Sequence, residues 1–231
     1  MPTTNKFDFI KPLYRKLFLG KNTFLFDMDG TVTLTEKINF EAYKSALKTI
    51  ANLDLNLNDW GEIFSGRKPL VSISEYYQKQ GLIYDQILLD SILKEIKLKK
   101  DTLLKTTQID VVKGFHQFIT ELIKNKFKTA LVTSTVKEYV ETIARNAGIN
   151  SYFDTFITAE DIVKSKPDPE SYITAMNRLK AKPVNTIIFE DSLSGLKAAV
   201  KTGASVIKVG EPQIKFKEVV LVIKNYDELS V

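Results

Sequence analysis

The chain has 231 residues, no cysteine and a single histidine. These counts exclude a cysteine nucleophile, a disulfide framework, a Cys-rich zinc site and a two-histidine metal site within one chain. Lys and Arg number 33 against 28 Asp and Glu, a net charge of +5 spread along the chain rather than gathered into the dense basic run of a nucleic-acid binder.

That mild basic excess either helps to attract anionic substrates such as phosphates or simply solubilises the surface. A Ser–His–Asp arrangement would have to use His116, which sits in KGFHQF at the start of an amphipathic helix and reads as a surface or helix-end residue. Catalysis is therefore expected to run on carboxylates, hydroxyls, lysines or a hard metal. Hydrophobic residues make up 44% of the chain, enough for one large domain or two modest ones. No run approaches the ~18 apolar residues of a membrane span. The opening segment also lacks the uncharged apolar stretch of a secretory signal, so a cytoplasmic protein without a membrane partner is expected; a monomer with no nucleic-acid partner is expected as well.

In chain order, Phe7, Ile10, Tyr14, Leu17 and Phe18 fall near one helical face, and the spacing predicts a short amphipathic helix ended by Gly20 in an N-terminal extension, residues 1–21. Thr23–Asp27 is an apolar run of strand length. Residues 36–105 read as helical throughout, with Ile38, Ala42, Tyr43, Ala46, Leu47 and Ile50, then Leu88, Leu89, Ile92, Leu93 and Ile96, at helical spacing. From about residue 110 strands and helices alternate. Helices are marked by Phe115–Ile123, Val136–Ala147, Tyr172–Leu179 and Leu196–Val200. Strands are marked by Thr129–Thr133, Phe156–Thr158, Thr186–Phe189, Ser205–Val209 and Val219–Ile223. This alternation predicts an open parallel α/β sheet covered on both faces and interrupted after its first strand by a helical insertion. Ligands of such sheets sit beyond the carboxyl ends of the strands.

Four polar clusters stand at those ends. Asp27 and Asp29 share one side of an extended segment, and two carboxylates so close need a cation between them or a proton on one. Gly30 permits a sharp turn that brings an N–H close to a ligand. Thr133-Ser134-Thr135 offers hydroxyls at a helix N-terminus, either to cap the helix, with Thr135 and Glu138 at capping-box spacing, or to hold phosphate. Lys166 is stiffened by Pro167, ahead of a helix begun by Pro169 with Asp168 as its cap. Its ammonium is either surface decoration or a counter-charge for a transferring phosphoryl group. Glu190-Asp191 follows the next strand and suits either a helix start or a hard cation such as Mg²⁺.

With these motifs in order, FLFDMDGT, ALVTS, SKPDP and IIFEDS, the chain resembles the haloacid dehalogenase superfamily of aspartyl-phosphate hydrolases, in the branch holding phosphoglycolate phosphatase and β-phosphoglucomutase. The resemblance runs from about residue 22 to the C-terminus. It implies a doubly wound, Rossmann-like α/β core (residues 22–34 and 108–231) with an inserted all-helical cap (residues 35–107). It also implies a Mg²⁺-dependent phosphatase acting on a small phosphorylated metabolite. Asp27 is then the nucleophile and Asp29 the general acid/base. Mg²⁺ is held by Asp27, the Asp29 carbonyl and Asp191, with Glu190 joining directly or through water. Thr133, the Ser134 N–H and the Gly30 N–H hold phosphate, and Lys166 offsets the charge shared by phosphate and Asp27. Thr35, Gly66, Arg67 and Lys68 are substrate candidates in the cap.

Asp29 argues against dehalogenation, which has no alkoxide to protonate. Leu34 and Asn39 depart from the acidic residue and the histidine common in relatives at the entry to the cap, so substrate preference does not transfer. A phosphomutase would use the same Asp27 intermediate and is separated from a phosphatase by the cap loop Ser65–Pro69. A non-catalytic binding module would have lost a catalytic group, and none is lost.

Overall fold

The computed structural model describes residues 6–64, 69–211 and 216–231. In chain order the elements are α1 (Arg15–Phe18), β1 (Thr23–Phe26), α2 (Glu36–Ala51), α3 (Leu57–Asp59), a π-helical turn (Trp60–Phe64), α4 (Pro69–Lys79), α5 (Gln86–Thr106), α6 (Phe115–Lys124), β2 (Lys128–Val132), α7 (Lys137–Asn146), β3 (Thr155–Ile157), α8 (Glu170–Arg178), β4 (Thr186–Glu190), α9 (Leu193–Val200), β5 (Ser205–Val209) and β6 (Leu221–Ile223). The chain forms two compact units. One combines the residues up to Leu34 with those from Ile109 onward; the other is Thr35–Gln108.

The first unit is built on a six-stranded sheet in the order β3-β2-β1-β4-β5-β6, parallel at every pairing. This is the doubly wound order whose connections reverse direction between β1 and β4, opening a crevice at the carboxyl ends of those two strands. Period-two alternation divides the strand residues between the sheet's faces. Leu25, Ala130, Val132 and Ile188 join Tyr172, Ala175 and Met176 of α8 and Leu196 and Ala199 of α9 in one core. Phe24, Phe26 and Phe189 serve the opposite face. There Phe26 stacks on Phe189 with ring centroids 4.8 Å apart and meets Phe115 of α6 edge-on at 5.6 Å. Each such fully buried side chain contributes roughly 1.5–3 kcal/mol.

The N-terminal segment differs from its expected helix. Among its described residues only Arg15–Phe18 is helical. Pro12 has no N–H to continue a ladder, and the Lys11 N–H instead donates to the Leu229 carbonyl (2.8 Å) while Ile10 bridges Ser230. The apolar residues that suggested a helix are used in irregular packing: Phe7, Ile10 and Phe18 are buried, and Phe7 stacks on Phe127 at 4.9 Å.

Every secondary-structure element among the described residues of the second unit is helical. Its core gathers Tyr43, Ala46 and Leu47 of α2 with Ile73, Tyr76 and Tyr77 of α4 and Leu89, Ile92 and Ile96 of α5 around Trp60 and Phe64. Trp60 donates its indole N–H to Glu36 (2.6 Å). No helix of the described residues is long and apolar enough to cross a membrane.

Candidate active site

The carboxyl ends of β1 and β4 bring the expected acids together. Phe26 is in register with Phe189, so Asp27 and Glu190, the next residue on each strand, flank the crevice. Carboxylate oxygens of Asp27, Glu190 and Asp191 all lie within 4.8 Å of one another, in a group able to hold a metal. Lys166 reaches into this group from the β3–α8 connection, where its bond to Pro167 is cis. Its ammonium donates to Asp27 Oδ1 (2.5 Å), Glu190 Oε2 (2.8 Å) and the Val132 carbonyl (3.3 Å). All three N–H groups therefore have acceptors, and the Lys166 side chain is only 6% exposed.

Glu190 is fully buried and accepts five hydrogen bonds. Oε1 receives the Asp191 N–H, the Ser192 N–H and the Ser192 hydroxyl; Oε2 receives Lys166 and the Tyr172 hydroxyl. Burial alone would raise its pKa, but Lys166, Tyr172 and the Ser192 N–H hold it below the usual glutamate range. Asp27 moves the other way. Burial, then the neighbouring Glu190 and Asp191 charges, push it well above the ordinary aspartate value against the pull of Lys166. Burial and Glu190 likewise push Asp191 up to about 7. Lys166 stays firmly charged, because Asp27 and Glu190 outweigh the burial that opposes its ammonium. Three carboxyl groups stand against one ammonium, and this crowding of acids is what, with burial, raises the two aspartates. A hard divalent cation with oxygen ligands fits both the charge and the donor set.

The loop after β1 is held by hydrogen bonds that the sequence motif does not predict. The Val32 and Thr33 N–H groups both donate to the Met28 carbonyl (2.9 Å each). Thr31 Oγ1 donates to Asp191 Oδ1 (2.9 Å), and the buried Tyr226 hydroxyl donates to the Thr31 carbonyl (3.1 Å). Gly30 has φ +85°, and a Cβ there would overlap the Asp191 carboxylate. Its N–H, expected on phosphate, instead donates to the Thr33 carbonyl (2.8 Å). The glycine thus serves the turn and the close approach to Asp191.

Thr133 is buried at the end of β2, and its Oγ1 accepts the Thr135 N–H (3.1 Å), leaving the hydroxyl proton to donate elsewhere. The expected Thr135–Glu138 capping box does not form. α7 begins later, at Lys137, with Val136 at its cap position and no side-chain cap. Glu160 takes the Lys137 N–H instead (3.0 and 3.1 Å), while Thr135 Oγ1 donates to Asp29 Oδ2 (3.2 Å). Asp29 lies outside the metal-competent group of side chains. Asp168 accepts the Glu170 N–H (3.0 Å), but the cap position of α8 itself is Pro169.

Ser134 is exposed. Thr35 is buried in the helical unit just before α2. Gly66, Arg67 and Lys68 lie outside the described residues. His116 is exposed, and its ring meets Tyr152 edge-on with Nδ1 3.1 Å from the Tyr152 hydroxyl.

Gly195, in the first turn of α9, is another group that no motif singles out. A Cβ there would overlap the Glu190 carboxylate, which is already fixed by five donors. A glycine inside a helix is the one signal of it in the sequence. Gly195→Ala is expected to displace Glu190 and Lys166 and to lower turnover on the order of 10²-fold, as misplacement by about an ångström does. Gly61→Ala, at a glycine with open space around it, is the control, and equal activity of the two variants would contradict the assignment.

The model of the haloacid dehalogenase-like hydrolase family matches residues 24–209, most of the chain and all four strand-end clusters. The chain belongs to this family and is a hydrolase of it. Among curated relatives it is 28% identical over 191 residues to the phosphorylated carbohydrates phosphatase of Thermotoga maritima, covering 78% of this chain and 80% of the relative. It is also 28% identical over 181 residues to the validoxylamine A 7'-phosphate phosphatase of Streptomyces hygroscopicus subsp. limoneus, covering 78% and 81%. CbbY from Rhodobacter sphaeroides, solved in complex with phosphate, shares the fold with a TM-score of 0.79 at 21% identity, over 90% of this chain and 96% of that one. A family IA hydrolase from Entamoeba histolytica HM-1:IMSS does so with a TM-score of 0.78 at 21% identity, over 91% and 96%.

Proposed function

We propose that the protein is a Mg²⁺-dependent phosphatase that hydrolyses a small phosphorylated metabolite through an aspartyl-phosphate on Asp27. The observation that carries this reading is the cluster of buried Asp27 and Glu190 and half-buried Asp191 beside Lys166. The names of the relatives favour a phosphatase acting on a phosphorylated small molecule. Asp27, the Asp29 carbonyl and Asp191 would hold the ion, with Glu190 adding its charge; when bound, Mg²⁺ supplies charge neutralisation on the phosphoryl oxygens. Asp27 attacks phosphorus, with Lys166 balancing the charge that Asp27 and the phosphoryl group share. Asp29 protonates the leaving oxygen, then accepts a proton from the water that attacks the aspartyl-phosphate. Thr133 and the Ser134 N–H orient the phosphoryl oxygens. A panel of phosphorylated metabolites, each with and without Mg²⁺, tests the reading; no release of phosphate from any of them would refute it.

The raised aspartates give a second test. A folded-state pKa above the unfolded value contributes stability that is complete below the ordinary value of 3.8 and is lost as pH rises, for Asp191 through about 7. Mg²⁺ competes for the same oxygens. Its thermal stabilisation is therefore expected to be small at pH 5 and several degrees at pH 8, measured by calorimetry. Equal shifts at both pH values would count against Asp27 and Asp191 as the ligands.

A further inference from the structure

Tyr172 lies on the α8 face that packs on the sheet among Leu25, Ala175, Met176 and Ile188. Its ring is fully buried there, a place a phenylalanine would fill equally well. The hydroxyl makes the difference: it donates to Glu190 Oε2 at 2.5 Å, the oxygen that also accepts Lys166 at 2.8 Å. Glu190 is an ionised acceptor, so the phenol must be the donor. The ring centroid lies 4.8 Å from Lys166 Nζ, within cation–π reach. One side chain therefore holds the lysine twice, by its π face and through a shared carboxylate oxygen.

We propose that Tyr172 is a positioning residue of the phosphoryl-transfer site, fixing Glu190 Oε2 so that the Lys166 ammonium is aimed at Asp27. It touches neither substrate nor metal and acts through Glu190. The proposal rests on the phosphatase reading above. Loss of the hydroxyl removes one of the two donors on Oε2 and leaves that oxygen to Lys166 alone, so that it and the lysine can shift together. Because Lys166 counters charge that grows during transfer, the loss falls on the transition state rather than on ground-state binding.

The test is Tyr172→Phe, which keeps the ring and its cation–π contact. With p-nitrophenyl phosphate as substrate, kcat is expected to fall about tenfold to a hundredfold, as loss of a hydrogen bond to a charged group predicts, with KM within about twofold. Inhibition by vanadate, a mimic of five-coordinate phosphorus, should weaken in step with kcat, and inhibition by inorganic phosphate should not. A fully bonded, buried ammonium also gives a slowly exchanging ¹⁵N signal, assigned by its loss in Lys166→Met; it is expected to shift or broaden in Tyr172→Phe. A lowered melting temperature with kcat, the vanadate-to-phosphate inhibition ratio and the ammonium signal all unchanged would reduce Tyr172 to packing and overturn the proposal. Wild type without turnover, but with the signal still moved by the variant, would overturn the phosphatase reading and sustain the positioning. A wild type that turns over, alongside a variant with unchanged kcat, would overturn the positioning alone.

Discussion

Asp27→Asn is expected to abolish turnover while leaving a folded protein that, without metal, melts at or above the wild-type temperature. The amide cannot form an acyl phosphate, and removal of a nucleophile typically lowers kcat on the order of 10⁴-fold or more. The stability follows from the sign of the aspartate's shift. Burial and two neighbouring acids hold Asp27 well above its ordinary value, so the folded protein prefers it neutral, and at pH 8 the ionised form opposes folding. An amide of the same shape is permanently neutral, and it still offers Lys166 an oxygen while Glu190 retains the ion pair (2.8 Å). For a chain of this size each kcal/mol relieved raises the melting temperature by roughly 2–4 °C. With Mg²⁺ the order is expected to reverse, because the variant has lost a ligand. Turnover near the wild-type level would refute Asp27 as nucleophile; a melting temperature well below wild type without metal would refute the charge argument.

Much of this site is legible in the amino-acid sequence. The strand ending at Asp27, the strand ending at Glu190 and the helix–strand alternation between them place the acids on one rim, because parallel strands joined by right-handed crossovers put their carboxyl ends on one side. Lys166 is legible as a lysine stiffened by the Pro167 that follows it. What escapes are groups whose role exists only after packing. Tyr172 counts as an apolar residue on a helical face, since nothing local shows that its hydroxyl meets Glu190, 18 positions away. Thr135 and Glu138 have capping-box spacing, yet the helix starts later and Glu160, from another loop, takes the Lys137 N–H. Local spacing records which bonds are geometrically available, and tertiary competition decides which form. The N-terminal segment teaches the same lesson: its periodic apolar residues Phe7, Ile10 and Phe18 are buried, but Pro12 and the pairing of Ile10 with Ser230 replace most of the helix.

Lys166→Met should be the most damaging single change to the fold's electrostatics, and it reverses the logic of Asp27→Asn. Removing the ammonium leaves the carboxylates of Asp27, Glu190 and Asp191 within 4.8 Å of one another without the cation that two of them contact. Breaking a buried pair from one side costs about 3–5 kcal/mol, because the remaining charge stays desolvated and unpaired, which corresponds to roughly 10 °C for this length. Catalysis is expected to fall as well, since the aspartyl-phosphate proposed on Asp27 would lose its counter-charge. Saturating Mg²⁺ should recover part of the stability by supplying positive charge to the same oxygens, but not the turnover, which needs a cation on the Val132 side of Asp27 where Lys166 is anchored. Arginine should not substitute, as its planar guanidinium is larger than the 6%-exposed slot that holds the ammonium. A surface lysine would give the opposite record, with stability changed by less than about 0.5 kcal/mol and turnover intact. Calorimetry and steady-state kinetics on this one variant therefore decide whether Lys166 belongs to the site.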